Sequence, residues 1–230
     1  MALIRSRPPR TWLTSCVRHP ISASVKSFGA RLPKCPARSF HNKAPEHIPE
    51  TLQPALEPVL EQIASLTERN RQYDRLLVAI SKEHYPETEL LWQVEGIGTL
   101  RALTFVLTLE DSYRFERSRS VGAYLGLVPA TERSGERDPQ RGISKEGDQM
   151  LRKLLVGSAH YILGPFGSDS DLRRHGQKIA SRGAKNSKKR AAVGVARKLC
   201  VLLHRLWVVS GEVYEPLYNA NRRQGQEEAA

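Results

Sequence analysis

Residues 52–82 read LQPALEPVLEQIASLTERNRQYDRLLVAISK, and the spacing of apolar positions in this stretch decides the fold class. Leu52, Leu56, Val59, Ile63, Leu66, Tyr73, Leu77 and Ile80 follow alternating steps of four and three, with Asn70 in the one remaining place. That rhythm lines one side of an α-helix and is the pattern of a heptad seam. Pro54 and Pro58 fit only near the first turn, where a missing N–H costs little. The expected helix therefore starts between them and runs to about Lys82, with Pro86 past its end. An asparagine at a core position trades stability for register, so the seam suits a partner helix, and a homo-oligomer paired through residues 56–80 is expected. An amphipathic helix packed on its own domain fits the same pattern.

Outward from this helix, residues 90–111 read LLWQVEGIGTLRALTFVLTLED. Gly96 and Gly98 sit between two apolar helical runs. A Gly-x-Gly hairpin lets backbone approach closely and leaves N–H groups at the start of the next helix for a DNA phosphate, which makes Gly96, Gly98 and Thr99 candidate contacts. This is a helix-hairpin-helix-like motif, and a purely structural tight turn reads equally well. Further on, Asp148 suits a helix cap, and Leu151, Leu154, Leu155, Ser158 and Ile162 share one face of the helix it would start. Residues 164–167, Gly-Pro-Phe-Gly, break the chain. A last amphipathic helix over about 188–209 repeats apolar residues at Val195, Leu199, Leu202, Leu206 and Val209. No strand alternation appears. The class read from the sequence is mainly α: a coiled-coil helix followed by a compact helical domain. The expected divisions are a basic, poorly ordered segment over 1–44, a linker and coiled coil over 45–89, a compact domain over 90–217 and a tail over 218–230.

Charge is distributed in blocks. The 230 residues carry 36 Lys and Arg against 24 Asp and Glu, a net +12. Residues 1–44 hold nine bases and no acid, residues 45–95 hold ten acids against four bases, and the rest is again basic. Residues 172–205 carry eleven Lys or Arg without one acid. Repulsion on that scale is costly in a compact domain unless an anion neutralises it, and Lys and Arg gain affinity for phosphates by releasing counterions. Nucleic acid is the partner this charge implies, with Lys185, Lys188, Lys189 and Arg190 as candidate DNA contacts. A mean hydropathy of −0.46 excludes a polytopic membrane protein, and no membrane partner is expected. Cys16, Cys35 and Cys200 form no pair with metal-ligand spacing, so neither a zinc site nor a disulfide framework is indicated. No metal ligands are assigned.

Between the two central helical runs lies a loop with the sequence TERSGERDPQRGISKEGD, residues 131–148. Ser134 is followed by Gly135 and surrounded by Arg133, Arg137, Arg141 and Lys145, with Arg152 one turn into the following helix. A hydroxyl among guanidinium groups is laid out for phosphoryl transfer, in which the serine attacks phosphorus and fixed cations stabilise charge on the non-bridging oxygens. Ser134 is the candidate nucleophile, and Ser144 is a competing hydroxyl whose place also suits a turn. A Ser-Gly turn with no chemistry is the plainer alternative. No Walker A loop, GxSxG or HExxH occurs.

Taken in order, the heptad helix, VEGIGTLRALTFVLTLED, FERSRSVGAYLGLVP, RSGERDPQRGISKEGDQMLRKLLVGSAHYILGPFG and GAKNSKKRAAVGVARKLCVLLHRLW resemble the C-terminal half of insertion-sequence transposases of the one-ten/one-sixteen/nine-oh-two family, relatives of the Piv DNA invertase. The resemblance extends from about Val25 to about Leu217. It implies a serine transposase domain over 90–217 with Ser134 at the family's serine and Gly135, Gly142 and Gly147 at its loop glycines. It also implies DNA as partner, a structured guide RNA, and a divalent metal held by four acidic ligands in an N-terminal RuvC-like domain. Residues 1–44 contain no Asp or Glu, so that metal site is not expected in this chain, and a truncated transposase with no cofactor of its own is the reading that follows. The expected location is the bacterial cytoplasm, on the nucleoid. An organellar address is the lesser alternative, because the acid-free, Arg- and Ser-rich start also resembles a transit peptide. The rival from another class is a non-catalytic nucleic-acid-binding, oligomerising module or a relic.

Overall fold

A proline at the second position of a helix costs no intrahelical bond, and the long helix of the computed structural model begins one residue before Pro54. The structure describes residues 25, 29–130, 142–183, 186–209, 211–218 and 221–222. These contain eight α-helices: α1 (Phe40–Lys43), α2 (Gln53–His84), α3 (Thr88–Leu91), α4 (Thr99–Leu109), α5 (Ser118–Tyr124), α6 (Gln149–Leu163), α7 (Asp171–Ala180) and α8 (Ser187–Val208). The mainly α class read from periodicity therefore holds, and the one β-bridge among the described residues pairs Pro129 with Ile143. Helix α2 starts slightly earlier than expected, with Pro58 inside it. The missing N–H removes one bond from a 32-residue helix, while Leu56, Val59 and Leu60 around it are packed. The chain forms two compact units, Met1–Val78 and Ala79–Ala230.

In the first unit, the early part of the α2 seam is covered by its own chain. Ile63 is buried with Val25, Phe40, Ala44 and Ile48, and Leu52, Leu56, Val59 and Leu60 pack around them. Residues 29–44, expected to be poorly ordered, instead supply α1 and a 3-10 turn at Ala37–Ser39. The physical reason is Phe40, one large apolar side chain that the basic composition obscured and that the seam can bury. Further along α2 the apolar positions are open: Tyr73 is 57%, Leu76 55% and Ile80 41% exposed, and Asn70 is exposed beside them.

The second unit is organised around α8, whose buried face carries Val195, Leu199, Cys200, Leu203, His204 and Leu206. Helices α3, α5, α6 and α7 all pack on it. The core joins these residues to Leu91, Phe105, Leu109, Leu125, Leu151 and Leu155, with Phe105 edge-on to Trp207 at 6.3 Å. His204 is buried but satisfied: Nδ1 accepts from the Ser118 hydroxyl at 3.0 Å, and Nε2–H donates to the Ser112 carbonyl at 2.9 Å. Burial holds its pKa below the usual imidazole value, only partly offset by the Ser112 bond. Burial likewise pushes the Cys200 thiol up to about 12, which leaves it protonated and unreactive.

Candidate nucleic-acid interface

The described residues on either side of the Ser134 segment are pinned to each other. The Ala130 N–H donates to the Gly142 carbonyl at 2.9 Å, Ser144 N–H to the Val128 carbonyl at 2.9 Å and Lys145 N–H to the Gly126 carbonyl at 3.2 Å. Below these bonds two glycines permit backbone to touch backbone. At Gly126, φ is +63° and a Cβ would overlap Glu146; at Gly147, φ is +74° and a Cβ would overlap the Tyr124 carbonyl. Only glycine meets both requirements at once. Asp148 then caps α6 as the sequence predicts, accepting from Leu151 N–H at 2.5 Å. Arg152 reaches back from α6 and donates from Nη1 to the Leu125 carbonyl at 3.0 Å and the Glu146 carbonyl at 2.7 Å. Its Nη1 thus ties residues 125 and 146 together from a half-buried side chain. Ser134, Arg133, Arg137 and Arg141 lie outside the described residues. Ser144, the competing hydroxyl, has its Oγ buried with no hydrogen-bond partner among the described residues. Gly142 has open space around it, and Lys145 is exposed.

The hairpin at residues 96–98 joins α3 to α4. The Gly96 carbonyl accepts from the Ser158 hydroxyl at 3.1 Å, and its α-carbon lies under Tyr161 and Ile162, so the glycine packs on α6. Gly98 precedes Thr99, the first residue of α4, with no side-chain cap. Beside this turn stands Arg101, not singled out from the sequence. Burial lowers its pKa, and its Nε has no partner among the described residues.

The eleven cations of residues 172–205 separate into classes that spacing could not distinguish. Arg173 is turned inward, donating to the Ile162 and Gly164 carbonyls at 2.6 Å each. Arg174 is paired with Asp169 at 2.6 Å and Arg205 with Glu212 at 2.7 Å. Lys185 lies outside the described residues. Lys178, Arg182, Lys188, Lys189, Arg190, Arg197 and Lys198 remain exposed with no ion pair among the described residues. Lys188, Lys189 and Arg190 occupy the first turn of α8, the end where the helix dipole opposes positive charge. His175 reports the local potential: burial first, then Lys198, Arg182 and Lys178, hold its pKa below the usual value. Among the described residues no group of three or more His, Cys, Asp or Glu side chains could hold a metal ion, and no helix is long and apolar enough to cross a membrane.

The helical unit that carries these exposed cations is similar to known transposases. Residues 88–167 match the model of the transposase IS116/IS110/IS902 family. It is 34% identical over 128 residues to the transposase for insertion sequence element IS1111A of Coxiella burnetii, covering 55% of this chain and 34% of that one. It is 30% identical over 168 residues to the transposase for insertion sequence element IS1328 of Yersinia enterocolitica, covering 70% and 47%. A probable family 20 transposase of Pseudomonas aeruginosa is 35% identical over 83 residues, covering 36% and 25%. The chain spans between about a third and about half the length of the first two relatives.

Proposed function

We propose that this chain binds DNA and performs the serine step of insertion-sequence transposition. The observation that carries the reading is the family match over 88–167, which takes in Ser134, beside the backbone bonds that fasten residues 126–130 to 142–145 on either side of it. Fastened flanks limit the entropy that a nucleophile between them loses on reaching a near-attack geometry. The Ser134 Oγ–P bond forms as the phosphodiester P–O bond breaks; the serine proton leaves and the departing deoxyribose oxygen gains one. Reversal by another DNA hydroxyl releases the serine, so the phosphodiester is rejoined without an external energy source. Arg133, Arg137 and Arg141 are the cations nearest in sequence to the developing charge. The exposed set Lys178, Arg182, Lys188, Lys189 and Arg190 holds the DNA backbone, and a structured RNA would compete for the same cations. Asn70, Tyr73, Leu77 and Ile80, exposed on α2 apart from the half-buried Leu77, are the seam through which a second copy pairs.

The test is incubation with a nicked suicide DNA, followed by denaturation and peptide mapping. A covalent nucleotide on Ser134, absent from Ser134→Ala but retained by Ser144→Ala, is the expected result. An adduct that survives in Ser134→Ala would overturn the assignment. Salt-sensitive DNA binding with no adduct in any variant would support instead the non-catalytic binding module.

A further inference from the structure

A cavity of about 900 Å³ opens on the second unit between α5, α7, α8 and the segment 212–218. Leu172, Val201, Leu202 and Leu206 are the aliphatic part of its lining. Another part of the lining is cationic. Arg119 of α5 arrives there beside Arg197 and Lys198 of α8, all three exposed and without an ion pair among the described residues. The Arg197 stem is laid across Gly122 of α5, whose added Cβ would stand 3.2 Å from Cγ, and this holds the two helices' cations together. The lining also includes the carboxylates Asp171, Glu212 and Glu215 and the rings of Tyr214 and Tyr218. Glu212 is occupied by Arg205, whereas Glu215 is exposed with no ion pair among the described residues.

A groove lined by cations, apolar side chains and carboxylates together does not match a uniformly acidic partner. Nor does its volume admit a double helix, since it falls within the roughly 300–1,000 Å³ of small-ligand pockets. The arrangement does match one nucleotide of a single strand. Phosphate meets Arg and Lys, the base stacks on apolar and tyrosine surface, and a carboxylate accepts from the exocyclic amino group of adenine, cytosine or guanine. We infer that the Arg119–Arg197–Lys198 groove seats an unpaired, amino-bearing nucleotide of a single strand. This rests on the nucleic-acid reading of the chain but names a second seat, apart from the first turn of α8.

The experiment measures anisotropy of labelled eight-nucleotide single strands, alternating dA and dC or all dT, and of a duplex, on the full chain. Wild type is expected to prefer the dA-dC strand over dT by about tenfold, one good hydrogen-bonded pair's discrimination. Arg119→Gln with Lys198→Gln is expected to weaken both single strands about tenfold while duplex affinity changes less than twofold. Glu215→Gln should narrow the preference over dT at unchanged overall affinity. All three side chains are exposed, so thermal midpoints should stay level. Equal single-strand affinities in wild type and the double variant, with duplex binding intact, would overturn the groove alone. Wild type that ignores every nucleic acid would overturn the nucleic-acid reading as well, and tighter binding of an acidic peptide than of either strand would assign the groove to a protein.

Discussion

Arg152 and the triplet at residues 188–190 look alike in the sequence, each a cation at the start of an amphipathic helix, yet the structure uses them oppositely. Arg152 is directed into the protein and spends its hydrogen bonds on the Leu125 and Glu146 carbonyls. Lys188, Lys189 and Arg190 are exposed on the first turn of α8 with no ion pair among the described residues. The loop base around Arg152 is over-determined, with glycines that admit no side chain, an aspartate cap and three backbone bonds within twenty residues. The α8 face is under-determined by its own protein. A region that satisfies itself is scaffold; a region whose charge is left unanswered is where an external polyanion supplies the answer.

That contrast can be broken on the scaffold side first. Gly147→Ala combines a positive φ with a Cβ inside the Tyr124 carbonyl, and a loss on the order of 3 kcal/mol or more is expected in denaturant unfolding. An unchanged midpoint would show that the loop base yields. Arg152→Met keeps the stem and removes two charge-assisted bonds, each worth about 1.5–3 kcal/mol when shielded; because the Glu146 bond is exposed, a loss on the order of 2–3 kcal/mol should appear in the same assay. The pH dependence is smaller. His204 and His175 are both held below the imidazole value of 6.5, so below that value the unfolded chain binds more protons than the folded one. Stability is full above pH 6.5 and declines as pH falls toward the lower folded values, and His204→Gln should flatten the decline. A stability that rises on acidification would contradict the buried neutral imidazole. The least effect belongs to Lys188→Ala with Lys189→Ala and Arg190→Ala, which should leave stability within about 0.5 kcal/mol, because solvent-facing cations at a helix N-terminus contribute nothing favourable to the fold.

Much of the fold was legible because long periodic faces are local information. The seam of α2, the Asp148 cap and the apolar face of α8 each follow from residues within a few turns of one another. Helix α7 was not legible, since its apolar content is little more than Leu172 and Ile179 among charges, and its start is signalled chiefly by the Ser170 cap, which accepts from Arg173 N–H at 3.2 Å. Which cations point inward was also hidden: Arg173 and Arg174 are neighbours in sequence, one bonded to carbonyls and the other to Asp169. Arg119 lies far from residues 197 and 198 along the chain and meets them only through the packing of α5 on α8. No spacing rule reports such tertiary convergence. The candidate nucleophile, Ser134, was read from its motif and lies outside the described residues.

The most direct measurement is the salt dependence of DNA affinity for wild type, the 188–190 triple alanine variant and Arg152→Met side by side. With about 0.9 unit of slope per neutralised phosphate, the triple variant should lose roughly 2.7 units from the plot of log K against log salt. Arg152→Met, if folded at the assay temperature, should retain the full slope. A triple variant with the wild-type slope, or an equal loss in Arg152→Met, would contradict the division between a self-satisfied scaffold and a DNA-facing α8.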